Sequence, residues 1–126
     1  MKTIIQTSKA PAPIGPYNQA ILVDNTLFTS GQIALDPRTM ELVNRDIEME
    51  TTQVMKNLCE VLKAAGMDFA DVVKTTIFLN DMEDFPKVNE IYGSYFNHKN
   101  APARETVQVA ALPKNVRVEI SFIAIR

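Results

Sequence analysis

Apolar residues recur at helical spacing in the segment from about Asp46 to Ala65. They form one stripe, made up of Val54, Leu58, Val61, Leu62 and Ala65. Steps of three and four residues place such positions on one side of an α-helix. Glu48 and Glu50 lie in the first turns, where the helix dipole favours negative charge, and Gly66 is a natural end. The pattern therefore predicts a helix from Asp46 to Ala65.

A second, shorter helix is predicted after Asp84. An aspartate at this position can cap a helix, and Pro86 fits a first turn because its missing N–H is not needed there. The apolar face of this helix consists of Phe85, Val88, Tyr92 and either Tyr95 or Phe96.

The remaining apolar segments are typical of β-strands. They comprise residues 2–7, a hairpin of 20–23 and 27–30 around the turn 24–26, then 73–79, 104–110 and 116–125. Residues 73–79 alternate as a strand does, and residues 112–115 join the last two strands. The order β-β-β-α-β-α-β-β predicts an α+β fold with the helices on one face of a sheet.

The last strand is apolar on both sides near its end. One side carries Val116, Val118, Ile120, Phe122 and Ala124. The other side carries Arg117, Glu119 and Ser121, followed by Ile123 and Ile125. A sheet face that is not covered by helices but becomes apolar is expected to be buried by another subunit. We therefore expect an oligomer.

Three polar side chains of the last two strands are a candidate site. If these strands form a hairpin, matching polar positions with polar positions brings Arg104, Thr106 and Glu119 onto one face. Arginine can grip a carboxylate with two N–H groups, and glutamate can position or deprotonate a water. The patch can hold and hydrolyse a small acid. An Arg–Glu ion pair on the sheet surface is the alternative, and spacing does not decide between them.

Composition limits the function classes. The chain has 126 residues, which we interpret as one domain (1–126), and a formal net charge of −2 without a basic block, which disfavours nucleic-acid binding. No apolar run reaches the ~18 residues of a membrane span, and no signal peptide is evident. A single cysteine, Cys59, fits the cytoplasm and is expected to be a packed thiol. No metal site or phosphate loop is indicated, and His98 is expected to cap a helix or face solvent.

Several motifs resemble the RidA/YjgF family, the reactive intermediate deaminases. They extend over nearly the whole chain in the family's order, and together they are specific. They are residues 14–20 (IGPYNQA), 30–33 (SGQI), 72–78 (VVKTTIF), 88–92 (VNEIY), 102–104 (PAR), 109–113 (VAALP) and 118–120 (VEI).

The resemblance implies a chorismate-mutase-like α+β fold and a homotrimer whose sheets form a central barrel, with three sites in clefts between subunits. It implies hydrolysis of 2-iminobutanoate and 2-iminopropanoate, or their enamine tautomers, to 2-oxo acids and ammonia. These imines arise in pyridoxal-phosphate-dependent dehydration of threonine and serine, and they damage pyridoxal-phosphate enzymes. The family needs no cofactor or metal.

The same resemblance implies roles for individual residues. Arg104 matches the arginine that binds the substrate carboxylate, and Glu119 matches the glutamate that orients the attacking water. The positions that line the cleft are Tyr17, Ser30, Gly31 and Asn89. Thr106 stands where many bacterial relatives have cysteine, and its backbone can contact the imine nitrogen. Glu105 is unusual at its position and is expected to alter the charge near the mouth of the cleft.

In the implied mechanism, water held by Glu119 attacks a protonated iminium, and the carbinolamine then releases ammonia. A neighbouring arginine is expected to lower the pKa of Glu119. Two other classes of function stay open at this point. One is a non-catalytic trimer that binds small carboxylates, in which Glu119 is dispensable. The other is an RNA-cleaving or translation-inhibiting protein, as reported for some relatives. A chaperone-like role also stays open.

Overall fold

Six strands form one mixed sheet in the computed structural model, which describes residues 1–126. The strands are β1 (Lys2–Ile5), β2 (Ala20–Val23), β3 (Thr26–Thr29), β4 (Val72–Leu79), β5 (Ala103–Gln108) and β6 (Val118–Ile125). The helices are α1 (Ile47–Ala64) and α2 (Phe85–Gly93). Short 3-10 turns span Phe69–Asp71, Met82–Asp84, His98–Asn100 and Pro113–Asn115. Strands and helices follow each other in the predicted order, and the α+β class is confirmed.

Helix α1 supplies much of the core, as its apolar stripe predicts. Val54, Leu58, Val61 and Leu62 are fully buried. The helix begins after Asp46, whose carboxylate accepts a hydrogen bond of 2.7 Å from the N–H of Met49. It ends before Gly66, whose φ of 72° lies in the left-handed region that favours glycine. The predicted bounds therefore agree with the structure to within a residue.

Helix α2 begins after Asp84, but this aspartate makes no capping hydrogen bond. The turn Met82–Asp84 runs directly into the helix, so the backbone of Asp84 is already helical and its side chain cannot reach the first free N–H groups. The predicted capping hydrogen bond of Asp84 is therefore wrong, although Pro86 lies in the first turn as expected. Val88 and Tyr92 are the buried residues of α2.

Strand β4 departs from strict alternation at its start. A bulge between Val72 and Lys74 buries Val72 and leaves Val73 43% exposed. The extra residue changes the side to which the first side chains point. From Thr75 onward the predicted alternation holds, and Thr75, Ile77 and Leu79 are buried.

The last two strands do not form the predicted hairpin. The order across the sheet is β1-β2-β3-β6-β4-β5, so β4 lies between β5 and β6. Strand β5 is parallel to β4 and lies at the edge of the sheet, whereas β6 is antiparallel to both β4 and β3. The connection of residues 109–117 is long enough to cross β4, and side-chain alternation does not reveal such a crossing.

The two faces of β6 have the predicted character, and both become apolar toward its C-terminal end. Val118, Ile120, Phe122 and Ala124 point into the core beneath the helices and are buried. The opposite side, which we call the open face, belongs to the side of the sheet that no helix covers, and apolar residues collect at one end of it. The apolar residues of the open face include Ile4, Val23, Phe28, Ile123 and Ile125. The expectation that another subunit covers them stays a prediction.

Candidate functional site

The predicted site residues border two separate cavities of one chain. Each cavity has a volume of about 370 Å³. The Glu119 cavity is lined by Ile14, Tyr17, Ser30, Gly31, Ile33, Pro113 and Glu119. The Arg104 cavity is lined by Asn89, Tyr92, Gly93, Phe96, His98, Ala101, Pro102 and Arg104. Six of the seven predicted site residues therefore border a cavity, and Thr106 borders neither.

Glu119 is half-buried and borders its cavity. Burial raises the pKa of Glu119, and no hydrogen bond or cation within the chain offsets this effect. The expectation that an arginine lowers this pKa is therefore wrong for the single chain. A carboxylate that lacks partners keeps its lone pairs free for a ligand or a water.

Gly31 is in close contact with Glu119. A Cβ atom on Gly31 would lie 2.7 Å from Cδ and 2.9 Å from Cγ of Glu119, closer than real Cβ contacts. The neighbouring Gln32 pairs with Ile120 through two backbone hydrogen bonds of 2.8 and 3.2 Å, which fix the loop against β6. Only glycine therefore allows the carboxylate to occupy this position.

The loop that carries Tyr17 is held in place by Gln19, a residue whose role the sequence analysis missed. Gln19 is buried, and its side chain accepts a hydrogen bond from the N–H of Thr7 (2.7 Å) and donates to the carbonyl of Pro11 (2.8 Å). Its backbone carbonyl accepts a hydrogen bond from the N–H of Ser30 (2.9 Å). The Gln19 side chain thus ties the proline-rich loop to Thr7, and the Gln19 backbone ties the same loop to the strand end at Ser30.

The Arg104 guanidinium is held by residues of α2. Its Nη1 donates a 2.7 Å hydrogen bond to Oδ1 of Asn89. Its Cζ lies 5.1 Å from the ring centroid of Tyr92 and 5.5 Å from that of Phe85. Both distances are typical of cation–π contacts. No carboxylate of the chain is among these partners, so the positive charge faces the cavity without a counter-ion.

Arg104 and Glu119 lie on opposite faces of the sheet. Arg104 is next to Thr75 in the register, and Thr75 is fully buried on the helix side. Glu119 is next to Phe78 and points to the open face. The predicted polar patch of Arg104, Thr106 and Glu119 is therefore wrong, and so is the alternative of an Arg104–Glu119 ion pair. Both assumed a β5–β6 hairpin.

The two residues that follow Arg104, Glu105 and Thr106, point to opposite faces of the sheet. Thr106 is next to Ile77, and its hydroxyl oxygen is buried without a hydrogen-bond partner. Glu105 points to the open face, where it forms an ion pair with Lys74 (2.8 Å) and accepts a hydrogen bond from Thr76. These two partners, with the Lys74 hydrogen bond the larger cause, lower the pKa of Glu105. Glu105 therefore lies on the opposite side of the sheet from Arg104, and its expected effect on the charge near the mouth of an intersubunit cleft stays a prediction.

Two further residues have contacts that the sequence patterns did not reveal. His98 is exposed, as expected, but it also lines the Arg104 cavity. Arg117 does not share the face of Glu119. Its Nε and backbone N–H each donate a 2.8 Å hydrogen bond to the buried carboxylate of Glu50 in α1. Periodicity could not reveal either contact, because both depend on segments that are distant in sequence or irregular.

Other features of the chain do not add chemistry to these cavities. Cys59 is partly buried, in agreement with a packed thiol, and burial raises its pKa. No group of three or more His, Cys, Asp and Glu side chains is arranged to hold a metal ion. No helix has the length and apolar character needed to cross a membrane.

Comparison with known proteins defines the family. The family model described as Endoribonuclease L-PSP matches residues 7–126. The human 2-iminobutanoate/2-iminopropanoate deaminase is 53% identical over 126 residues, which are all of this chain and 91% of that protein. The chain belongs to this family, and the resemblance to RidA/YjgF proteins is confirmed.

Solved structures agree with this assignment. A protein of the conserved Rid family from Yersinia pestis is 48% identical, with a TM-score of 0.96 over the whole of both chains. Escherichia coli TdcF, solved with bound serine, is 40% identical, with a TM-score of 0.92 over 98% of both chains. The fold described above is therefore the fold of the Rid family.

Proposed function

We propose that this protein hydrolyses 2-imino acids, namely 2-iminobutanoate and 2-iminopropanoate, to 2-oxo acids and ammonia. The observation that carries the proposal is the Arg104 guanidinium, which is held by Asn89 and two aromatic rings and faces a cavity without a counter-ion. Such a group suits the carboxylate that every 2-imino acid has. Support comes from relatives named as deaminases of these imines and from the relative that binds serine, also a small carboxylate.

We further propose that each site forms between two copies of the chain. Arg104 and Glu119 open into different cavities on opposite faces of the sheet, so one chain cannot bring both to a small substrate. The open face is apolar at one end, with Phe28 47% and Ile125 47% exposed, and such a surface favours burial against another copy. A homotrimer, as the family resemblance implies, has three equivalent interfaces of this kind.

The two cavities supply complementary chemistry. Arg104 binds the substrate carboxylate, and Glu119 of the neighbouring copy holds a water. The water oxygen forms a bond to the imine carbon while a water proton passes to Glu119, and the C=N π electrons move to nitrogen. Glu119 then gives this proton to the nitrogen, the C–N bond breaks and ammonia leaves with the bonding electrons, and the C=O bond forms as the hydroxyl proton passes back to Glu119. Burial within its own chain raises the pKa of Glu119, and an ionised carboxylate of higher pKa is the stronger proton acceptor.

The cellular role follows from the reaction. Hydrolysis of reactive imines before they reach pyridoxal-phosphate enzymes would protect those enzymes, and a cytoplasmic location would place the protein where the imines form. No resident cofactor or metal has a part in this mechanism, because a carboxylate can activate water for attack on an iminium, which is already electrophilic.

RNA cleavage is the alternative that the family description suggests. The formal net charge of −2 does not favour it, because RNA binding draws most of its affinity from cationic contacts to phosphates. A carboxylate-binding trimer without catalysis is the other alternative. The variant Glu119→Gln distinguishes the two hypotheses. If the protein is a deaminase, the variant should still bind a 2-oxo acid but lose turnover. If the protein is a binding trimer, the variant should also bind, and the parent should show no turnover to lose.

The experiment that tests the proposal is a competition assay. Threonine dehydratase generates 2-iminobutanoate, semicarbazide traps it, and the purified protein diverts it to 2-oxobutanoate. We expect Arg104→Ala to lose at least about 100-fold in kcat/KM, Arg104→Lys to retain a small part, and the exposed Arg38→Ala to match the parent. Full activity of Arg104→Ala, or an inactive parent, would refute the proposal.

A further inference from the structure

We propose that Tyr92 and Thr75 are positioning residues that set the plane of the Arg104 guanidinium. This inference deepens the proposed function and rests on it for the identity of the substrate. The three residues form a closed arrangement. Thr75 is next to Arg104 in the β4–β5 register, the Tyr92 hydroxyl donates a 2.9 Å hydrogen bond to Oγ1 of Thr75, and the Tyr92 ring lies 5.1 Å from Cζ of Arg104.

The Tyr92 ring is a rigid support. It is 4% exposed, and its hydroxyl bonds to a threonine that is itself fully buried. Its other neighbour is Phe96, at a centroid distance of 4.8 Å, and Phe96 in turn packs edge-on against Phe122 of the core at 6.1 Å. The guanidinium therefore lies on a chain of aromatic rings that extends into the core.

The hydrogen bond to Asn89 cannot fix the guanidinium alone. One hydrogen bond at Nη1 leaves the plane free to turn about it, and both Asn89 and Arg104 are exposed. A carboxylate accepts two parallel hydrogen bonds from a guanidinium only when the two planes match. The Tyr92 face, together with Phe85 at 5.5 Å, restricts this rotation. The buried hydroxyl of Tyr92 in turn restricts the tilt of its ring.

Paired variants separate these contributions in the intact protein. Tyr92→Leu removes the aromatic face, whereas Tyr92→Phe keeps the face and removes the hydroxyl. Thr75→Val removes the hydroxyl that accepts the hydrogen bond from Tyr92, whereas Thr75→Ser keeps it. Tyr95→Leu is the matched control, since the Tyr95 ring packs on Phe69, 5.2 Å away, and makes no cation–π contact with Arg104.

For Tyr92→Leu we expect KM for 2-iminobutanoate to rise about three- to thirtyfold while kcat stays within about twofold, since the contact acts equally before and during the reaction. Tyr92→Phe and Thr75→Val should show smaller increases of the same kind, and Thr75→Ser should resemble the parent. An equal fall in kcat for Tyr95→Leu and Tyr92→Leu would indicate a general structural effect and refute the inference.

A second measurement does not depend on turnover. The order of the Arg104 Nε–H group is measured by ¹⁵N NMR relaxation in the parent and in each variant without ligand. We expect the order to fall in Tyr92→Leu, to fall less in Thr75→Val, and to be retained in Thr75→Ser and Tyr95→Leu. Unchanged order in Tyr92→Leu would overturn the inference even in an active enzyme. An inactive parent would instead refute the proposed function, whereas the order of the Arg104 Nε–H group would still test the positioning role of Tyr92 and Thr75.

Discussion

Replacing Gly31 by alanine should displace the Glu119 carboxylate while leaving the fold intact. The backbone of Gly31 does not have a positive φ, so alanine meets no conformational strain there. The new methyl group instead meets Glu119, with Cβ 2.7 Å from Cδ and 2.9 Å from Cγ. These atoms belong to a flexible side chain, and they can retreat into the cavity that Glu119 borders.

The size of the effect follows from these distances. Ordinary contact begins at 3.4 Å, so the carboxyl carbon must move by at least about 0.7 Å, and the rotation that achieves this moves the oxygens further. A displacement of about 1 Å at a catalytic group can cost about 100-fold in rate, equivalent to about 2.7 kcal/mol in the activation barrier. We therefore expect kcat of Gly31→Ala to fall between about 30-fold and 100-fold.

The assay is steady-state imine hydrolysis, with thermal unfolding followed by circular dichroism as the stability control. Gly15→Ala is the matched variant, because its Cβ would meet Tyr17 at 3.5 Å, an ordinary contact. We expect both variants to unfold near the parent temperature and only Gly31→Ala to lose activity. If Gly31→Ala kept kcat within about threefold of the parent, the position of Glu119 would not be critical and the reasoning would be refuted.

Three further predictions concern stability and titration. Thr106→Val should raise the free energy of unfolding in urea by about 1 kcal/mol, because it removes a buried hydroxyl without a hydrogen-bond partner. A loss of stability would contradict this and would mean that the hydroxyl is hydrogen-bonded in the assembled protein. Arg117→Ala should destabilise by about 3–5 kcal/mol, because it leaves the buried Glu50 carboxylate without its cation, and an effect below about 1 kcal/mol would contradict this interpretation. Lys74→Met should raise the pKa of Glu105 toward its ordinary value in an NMR titration. Because the native pKa of Glu105 is lowered, the stability from this contact is present above the ordinary pKa of 4.5 and is lost as the pH falls through the native value. An unchanged titration would show that Lys74 is not the main cause.

Local patterns predicted most of the elements of this fold. The stripe of α1 and the alternation of β6 depend on side chains that all face one core, so spacing along the chain is enough to identify them. The bulge at Val73 and the uncapped start of α2 at Asp84 are departures of one or two residues. They arise from pairing and turn geometry, which hydrophobic spacing does not report.

These patterns could not predict which strands are neighbours in the sheet. Alternation tells which side of its own strand a residue takes, but it does not tell which strand lies beside it. Arg104 was therefore matched with Glu119 across a hairpin that does not exist, because β4 separates their strands. Family motifs selected residues bordering both cavities. They included Gln19 and Tyr92 but assigned them no role, and they did not include His98.

A mixing experiment tests most directly whether a deaminase site forms between copies of the chain. Arg104→Ala and Glu119→Gln, each inactive alone, are unfolded together in equal amounts, refolded and assayed for imine hydrolysis. In randomly mixed trimers, about one site in four combines an intact Arg104 from one copy with an intact Glu119 from its neighbour. We predict recovery of about a quarter of the activity of parent protein refolded in the same way. No recovery, with the refolded parent active and mixed trimers present, would contradict the proposed site.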